Sequence, residues 1–270
     1  MQENFEHRSV GRAFFFYLSP QFNYLLMNVN EDKIFNQPAE LIADFKFSQQ
    51  VVSVFDNMVN RSVPFYGEIQ RMMAEMAKDF ATENSRIYDL GCSTGATLIS
   101  IDPLVHHSVK FVGVDESAEM RQKCEENLKK AGISRDYEII YGDLNRGLKI
   151  ENSSVVVLCL TLQFVRPLYR NRVVREIYEG LNKNGCLILV EKVLGEDSLL
   201  NRMFIKYYYD MKKRNNYSEL EIAQKREALE NVLIPYKLEE NREMLFQCGF
   251  NNVEIFFKWY NFAGIIAVKL

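Results

Sequence analysis

Between Arg86 and Lys192 short apolar runs alternate with helix-length amphipathic stretches. RIYDL is followed by a helical stretch after Ala96, KFVGVD by a helix from Ala118 to Lys130, then come YEIIYGD, SSVVVLCL, a helix near residues 171–181, and GCLILVEK. The runs are apolar without interruption and lack the alternation of a strand with one wet face, so they predict parallel strands covered on both sides. Strands separated by helices predict an α/β fold, a mostly parallel sheet with helices on both faces. Ahead of this unit, FSQQVVSVFDNMVNRSVPFYGEIQRMMAEMAKDF is helical in pattern but broken at Pro64, and it reads as a lid or a dimer surface. After the fifth strand, residues 197–232 form a charged, aromatic helical insertion split at NNYS, where Ser218 and Glu221 have the spacing of a capping box. A helix over EENREMLFQCGF and two strands, NVEIFFKWY and FAGIIAVKL, close the chain.

No repeat or low-complexity block divides this pattern, so one domain is expected over residues 29–270, with residues 1–28 as an N-terminal extension. In that extension GRAFFFYLSP is too short for a secretory or membrane-spanning segment, and Met27 offers an alternative start. The 270 residues, 47% of them hydrophobic, suffice for a substantial core. Against 36 acidic residues stand 33 Lys and Arg, a formal charge of -3, so no global basic field points to nucleic acid, and neither direct nucleic-acid binding nor a membrane is expected. Five widely spaced cysteines, mostly within apolar runs, read as reduced thiols of a cytoplasmic protein. His7, His106 and His107 lack acidic or thiol companions at ligand spacing, so no metal site is expected.

In an open parallel sheet the ligand lies beyond the carboxyl ends of the strands. The first strand ends in YDLGCSTGA, where Gly91 and Gly95 let backbone approach a ligand, Ser93 adds a hydroxyl, and the next helix offers free N–H groups. This turn lacks the G-x-G-x-x-G spacing of a dinucleotide site. The second strand ends in Asp115 and Glu116, 24 and 25 residues past Gly91, where carboxylates can accept ribose hydroxyls. The third ends in YGDL, where Asp143 can accept from an adenine amino group. Taken singly, each also reads as a turn or helix-start residue; together they outline an adenosine site. From the residues alone, Cys92 and Cys159 read as packing side chains.

YDLGCSTGA, VGVDES and YGDL resemble motifs I, II and III of class I S-adenosyl-L-methionine (SAM)-dependent methyltransferases. With NRSVPFY, TLQFVRP, IYEGLNKNGCLILVEK, NNYSELEIAQKREALENV and NFAGIIAVKL, the chain from Glu31 onward resembles the carboxy-S-adenosyl-L-methionine synthase family. The resemblance implies a Rossmann-like class I methyltransferase fold with a seven-stranded, mostly parallel sheet. It also implies a homodimer and the conversion of SAM and prephenate to carboxy-SAM and phenylpyruvate. In that reaction prephenate loses a carboxyl group, the sulfonium methyl loses a proton, and the resulting ylide captures carbon dioxide. The product then serves a separate carboxymethyltransferase acting on the tRNA wobble uridine. The residues implied at the ligand are Tyr66, Gly91, Cys92, Ser93, Asp115, Glu116, Asp143, Leu144, Cys159 and Arg226. The family commonly has asparagine where this chain has Glu116 and Cys159, and a thiol is the weaker hydrogen-bonding substitute.

Arg226 is implied as the group acting on the reaction itself, because a carboxylate added to SAM inside a closed pocket needs a cation, and a guanidinium matches it bidentately. Lys212, Lys213 and Arg214 are the nearest cluster for the two carboxylates of prephenate, or else an exposed charged helix end. Two further readings keep the same fold: an ordinary SAM-dependent methyltransferase of a small molecule or nucleic acid, and a cofactor-bound partner subunit without catalysis.

Overall fold

A computed structural model describes residues 30–270, and the extension expected over residues 1–28 lies outside the described residues. Helices α1 (Gln49–Ser62) and α2 (Tyr66–Phe80) lead into β1 (Arg86–Leu90), α3 (Ala96–Ile101), β2 (Lys110–Asp115), α4 (Ala118–Lys130) and β3 (Tyr137–Tyr141). Then follow β4 (Ser153–Cys159), α5 (Pro167–Gly180), β5 (Leu181–Leu194), α6 (Ser198–Arg214), α7 (Glu219–Leu229), β6 (Tyr236–Lys237), α8 (Leu238–Gln247), β7 (Asn252–Trp259) and β8 (Phe262–Val268). The sheet runs β3-β2-β1-β4-β5-β8-β7, with the two-residue β6 paired to the end of β5. The first five strands of that order are parallel; β8 runs antiparallel to both β5 and β7.

The continuous apolar runs have the expected cause. Val155, Val156, Val157 and Leu158 of β4 are all fully buried, because one helical layer covers each face. Ile69 and Met73 of α2, Leu98 of α3 and Leu128 of α4 pack with Ile87, Phe111, Val157 and Ile188 on one face. Val173 and Ile177 of α5 and Met244 and Leu245 of α8 pack with Leu90, Val156, Leu158 and Leu189 on the other. Helix α2 therefore belongs to the core, where its pattern suggested a lid or dimer surface. Helix α5 starts at Pro167, four residues ahead of the stretch that the sequence outlines, since proline at the first helical position loses only a donor that has no partner there. The strand order reverses between β1 and β4, and this switch point fixes where a ligand can lie.

The insertion folds as two helices. Ser218 Oγ accepts from Glu221 N at 3.2 Å while Ser218 N donates to Glu221 Oε2 at 2.7 Å, the reciprocal pair that the spacing predicts. Ser218→Ala should cost about 1 kcal/mol, lowering the melting temperature by roughly 2–4 °C in calorimetry. An unchanged melting temperature would show that packing alone sets the start of α7.

Candidate functional site

At the switch point the turn after β1 is held by the end of β2. Gly91 N and Cys92 N both donate to Val114 O, at 2.7 and 3.0 Å. Ser93 N donates to Asp115 Oδ2 at 3.0 Å and Ser117 N to Asp115 Oδ1 at 2.9 Å. The turn needs left-handed backbone at Gly91 (φ 80°), Ser93 (φ 47°) and Gly95 (φ 85°), which is why two of the three are glycine. Thr94 Oγ1 donates to Asp56 Oδ1 at 2.6 Å and so ties α1 to the turn.

One cavity opens over these strand ends. Tyr66, Gly91, Cys92, Ser93, Asp115, Glu116, Asp143, Leu144 and Cys159 all line it. Three carboxylates gather at one end. Burial raises the Asp115 carboxyl above its ordinary range, against the pull of the Ser117 and Ser93 amides. Glu116 is raised by burial and by the neighbouring charges of Asp143 and Asp115. Asp143 Oδ1 accepts from Asn145 N at 2.9 Å, and Arg146 stands 3.2 Å from its Oδ2. Next to the glycine turn, burial pushes up the Tyr66 hydroxyl and the Cys159 thiol, and Gln70 Nε2 contacts Cys159 Sγ at 3.9 Å.

Across β1 and β4 from those acids, Lys192 of β5 lines the cavity together with Lys212 of α6, Lys225 of α7 and Tyr208. Of the MKKR cluster, Lys212 is buried while Lys213 and Arg214 are exposed. Arg226 is exposed on the outer side of α7 and does not line the cavity, whereas its neighbour Lys225 does.

Several contributors escape the sequence reading. Phe45 and Phe47 line the cavity from the segment before α1. Asp89 in β1 lies behind the lining, buried and pushed up to about 7 by burial and by Asp115. The signal for it was present, an acid one residue before the end of an apolar run.

A nucleoside with a positively charged amino-acid arm fits this lining. The acidic strand ends offer acceptors to ribose and base, and Leu144, Phe45 and Phe47 offer apolar cover. Among the described residues Asp89 Oδ2 and Gln70 Oε1 are buried acceptors without a partner; neither residue lines the cavity, and both stand beside Cys159 and Tyr66, which do.

The family model described as a methyltransferase domain matches residues 87–185. A protein of Methylococcus capsulatus named carboxy-S-adenosyl-L-methionine synthase is 58% identical over 89% of this chain and 100% of its own length. One of Nautilia profundicola with the same name is 42% identical over 88% of this chain and 100% of its own. Among solved structures, an O-methyltransferase family protein from Burkholderia thailandensis superposes with a TM-score of 0.61 at 15% identity, over 83% of this chain and 60% of that one, a likeness of fold alone. The mostly parallel sheet, the glycine turn hung on Asp115 and this degree of identity over nearly the whole chain together place the protein in the carboxy-S-adenosyl-L-methionine synthase family.

Proposed function

We propose that this protein converts SAM and prephenate to carboxy-SAM and phenylpyruvate, and that the product supplies a separate enzyme that carboxymethylates the tRNA wobble uridine. The observation that carries the reading is one cavity with acids at one end and lysines at the other: the first suits a cationic nucleoside, the second a carboxylate-bearing co-substrate. A plain methyltransferase has no general need of the lysines.

The reaction balances without an added oxidant or reductant. The ring carboxylate of prephenate leaves as carbon dioxide while the ring hydroxyl departs, giving phenylpyruvate. The departing hydroxide takes a proton from the sulfonium methyl and becomes water, and the methyl carbon bonds to the carbon dioxide. SAM supplies the sulfonium that makes the methyl proton acidic. The chain positions and neutralises. Asp115 and Glu116 hold the ribose, the turn from Gly91 to Ser93 admits the methionyl arm, and Tyr66 and Cys159 close the site around the reacting carbon. Apolar lining from Phe45, Phe47 and Phe164 limits the water that can reach carbon dioxide and the deprotonated carbon.

On one chain Arg226 does not line the cavity, so its role at the new carboxylate is met only when a second copy brings its cavity to this face of α7, as a homodimer would. All five cysteines are free thiols, which supports a cytoplasmic location. Among the described residues no helix is long and apolar enough to cross a membrane.

Incubation of the pure protein with SAM and prephenate should yield a cofactor heavier by one carboxyl group together with phenylpyruvate, read by mass spectrometry. S-Adenosylhomocysteine formed without prephenate would replace this reading with methyl transfer. Arg226→Ala should lose at least roughly 10-fold more carboxy-SAM than SAM affinity, because only the product carries the added anion. Equal losses would remove Arg226 from the site.

A further inference from the structure

The lysine end of the cavity has a charge imbalance that the fold itself leaves uncorrected. Lys212 and Lys225 are each 5% exposed, and Lys192 is half-buried. Two tyrosine rings bound the three amines. Lys192 Nζ and Lys212 Nζ each lie 5.1 Å from the centre of the Tyr208 ring, and Lys212 Nζ and Lys225 Nζ each lie 5.5 Å from that of Tyr217. Both rings are buried. Cation–π contact offsets part of the desolvation of an ammonium group but supplies no counter-charge.

The neighbouring acids are already engaged. Asp32 Oδ2 accepts from Tyr217 Oη at 2.6 Å and stands 3.7 Å from Lys225 Nζ, too far for a hydrogen bond. Glu221 accepts from Ser218 N and Oγ in the cap of α7. Arg61, the fourth cation of the group, lies over Tyr217 and donates to the backbone oxygens of Asp32, Asn215 and Asn216. Four basic groups against two carboxylates leave a surplus of two basic groups, and burial holds Lys212 and Lys225 below the ordinary lysine range. Among the described residues Lys225 Nζ is buried without any hydrogen-bond partner. Buried surplus charge of this kind is costly unless a ligand completes it.

Building on the reaction proposed above, we propose that Lys192, Lys212 and Lys225 form the subsite that receives the two carboxylates of the co-substrate and keeps a charge of minus two neutralised throughout turnover. Prephenate enters as a dianion. After the transfer one negative charge remains on phenylpyruvate and the other sits on the carboxylate bound to the former methyl carbon, which the amines then share with Arg226 of a second copy. The total negative charge in the cavity is therefore the same before and after the step. An ordinary small-molecule methyl acceptor has no such requirement.

The substitution that separates this role from a structural one is Lys212→Met, which keeps the apolar stem and removes the charge. Because burial and the charges of Lys225 and Lys192 push Lys212 down to about 7, removing it relieves the native state, and the variant should melt above wild type. Its KM for prephenate should rise about 30-fold while its Kd for SAM stays within about twofold, and Lys212→Arg should recover most of the loss. Lys192→Met, whose amine lies equally close to the Tyr208 ring, should repeat the pattern. A prephenate KM unchanged in both Met variants overturns the subsite, as does an equal loss of SAM affinity, which would assign the amines to the methionyl carboxylate. A Lys212→Met protein that melts well below wild type would make the lysine structural and also overturns it. Calorimetric titration of the wild type with malonate, in the presence of SAM, separates this proposal from the reaction it builds on. Binding that Lys212→Met abolishes, in a protein that makes no phenylpyruvate, would leave the dicarboxylate subsite standing while the synthase reading falls. No malonate or prephenate binding to the SAM-loaded wild type removes the subsite.

Discussion

Replacing Asp115 with alanine should weaken SAM binding by at least roughly 100-fold, because a carboxylate that accepts from two ribose hydroxyls contributes about 1.5 kcal/mol or more for each. The substitution also strips the acceptor from Ser93 N and Ser117 N, so the glycine turn loses its attachment to β2 and the fold loses stability as well. Asp115→Asn keeps one acceptor oxygen and should fall between the two. Isothermal titration with SAM, paired with a thermal melt, separates the contributions. If the alanine variant binds SAM as tightly as wild type, the ribose does not lie at the end of β2 and the cofactor takes another orientation in the cavity.

Gly91→Ala should be nearly as damaging by a different route. At φ 80° an alanine pays about 1–2 kcal/mol in backbone strain, and the added Cβ would overlap the side chain of Thr161. Thr161 sits in the turn after β4, on the opposite lip of the switch point, so relief of the overlap widens the lips and displaces the methionyl arm. A drop of about 2–4 kcal/mol in stability and loss of detectable turnover are expected. Thr161→Gly in the same chain should recover the part due to overlap and leave the part due to φ. Full activity in Gly91→Ala alone would mean that the turn relaxes freely.

The cavity wall was legible wherever a simple rule governs it. Continuous apolar runs such as SSVVVLCL have no other use than a doubly covered strand, and Asp115, Glu116 and Asp143 follow from the position of the strand ends. The motif resemblance added Tyr66 and Leu144, which the strand-end rule alone does not reach. Lys192 obeys that rule at the end of β5, yet VEKV reads as a strand still running and hides it. Lys225 is harder for a physical reason. Helix α7 buries Glu221, Gln224 and Lys225, so no apolar stripe tells its inner face from its outer one. Sequence singled out Arg226 on that helix, and the fold turns the adjacent Lys225 inward. Asp89 is an acid within a buried strand, where periodicity carries no information about a missing partner.

The segregation of acids and amines at opposite ends of one cavity reaches into the life of the protein in the cell. Like charges crowded at each end press against the folded chain, and arrival of a cationic nucleoside and a dianion removes that pressure. Occupied molecules therefore open less often than empty ones, and opening is what exposes a chain to proteases. Protein saturated with both small molecules should thus resist limited proteolysis longer than the empty chain.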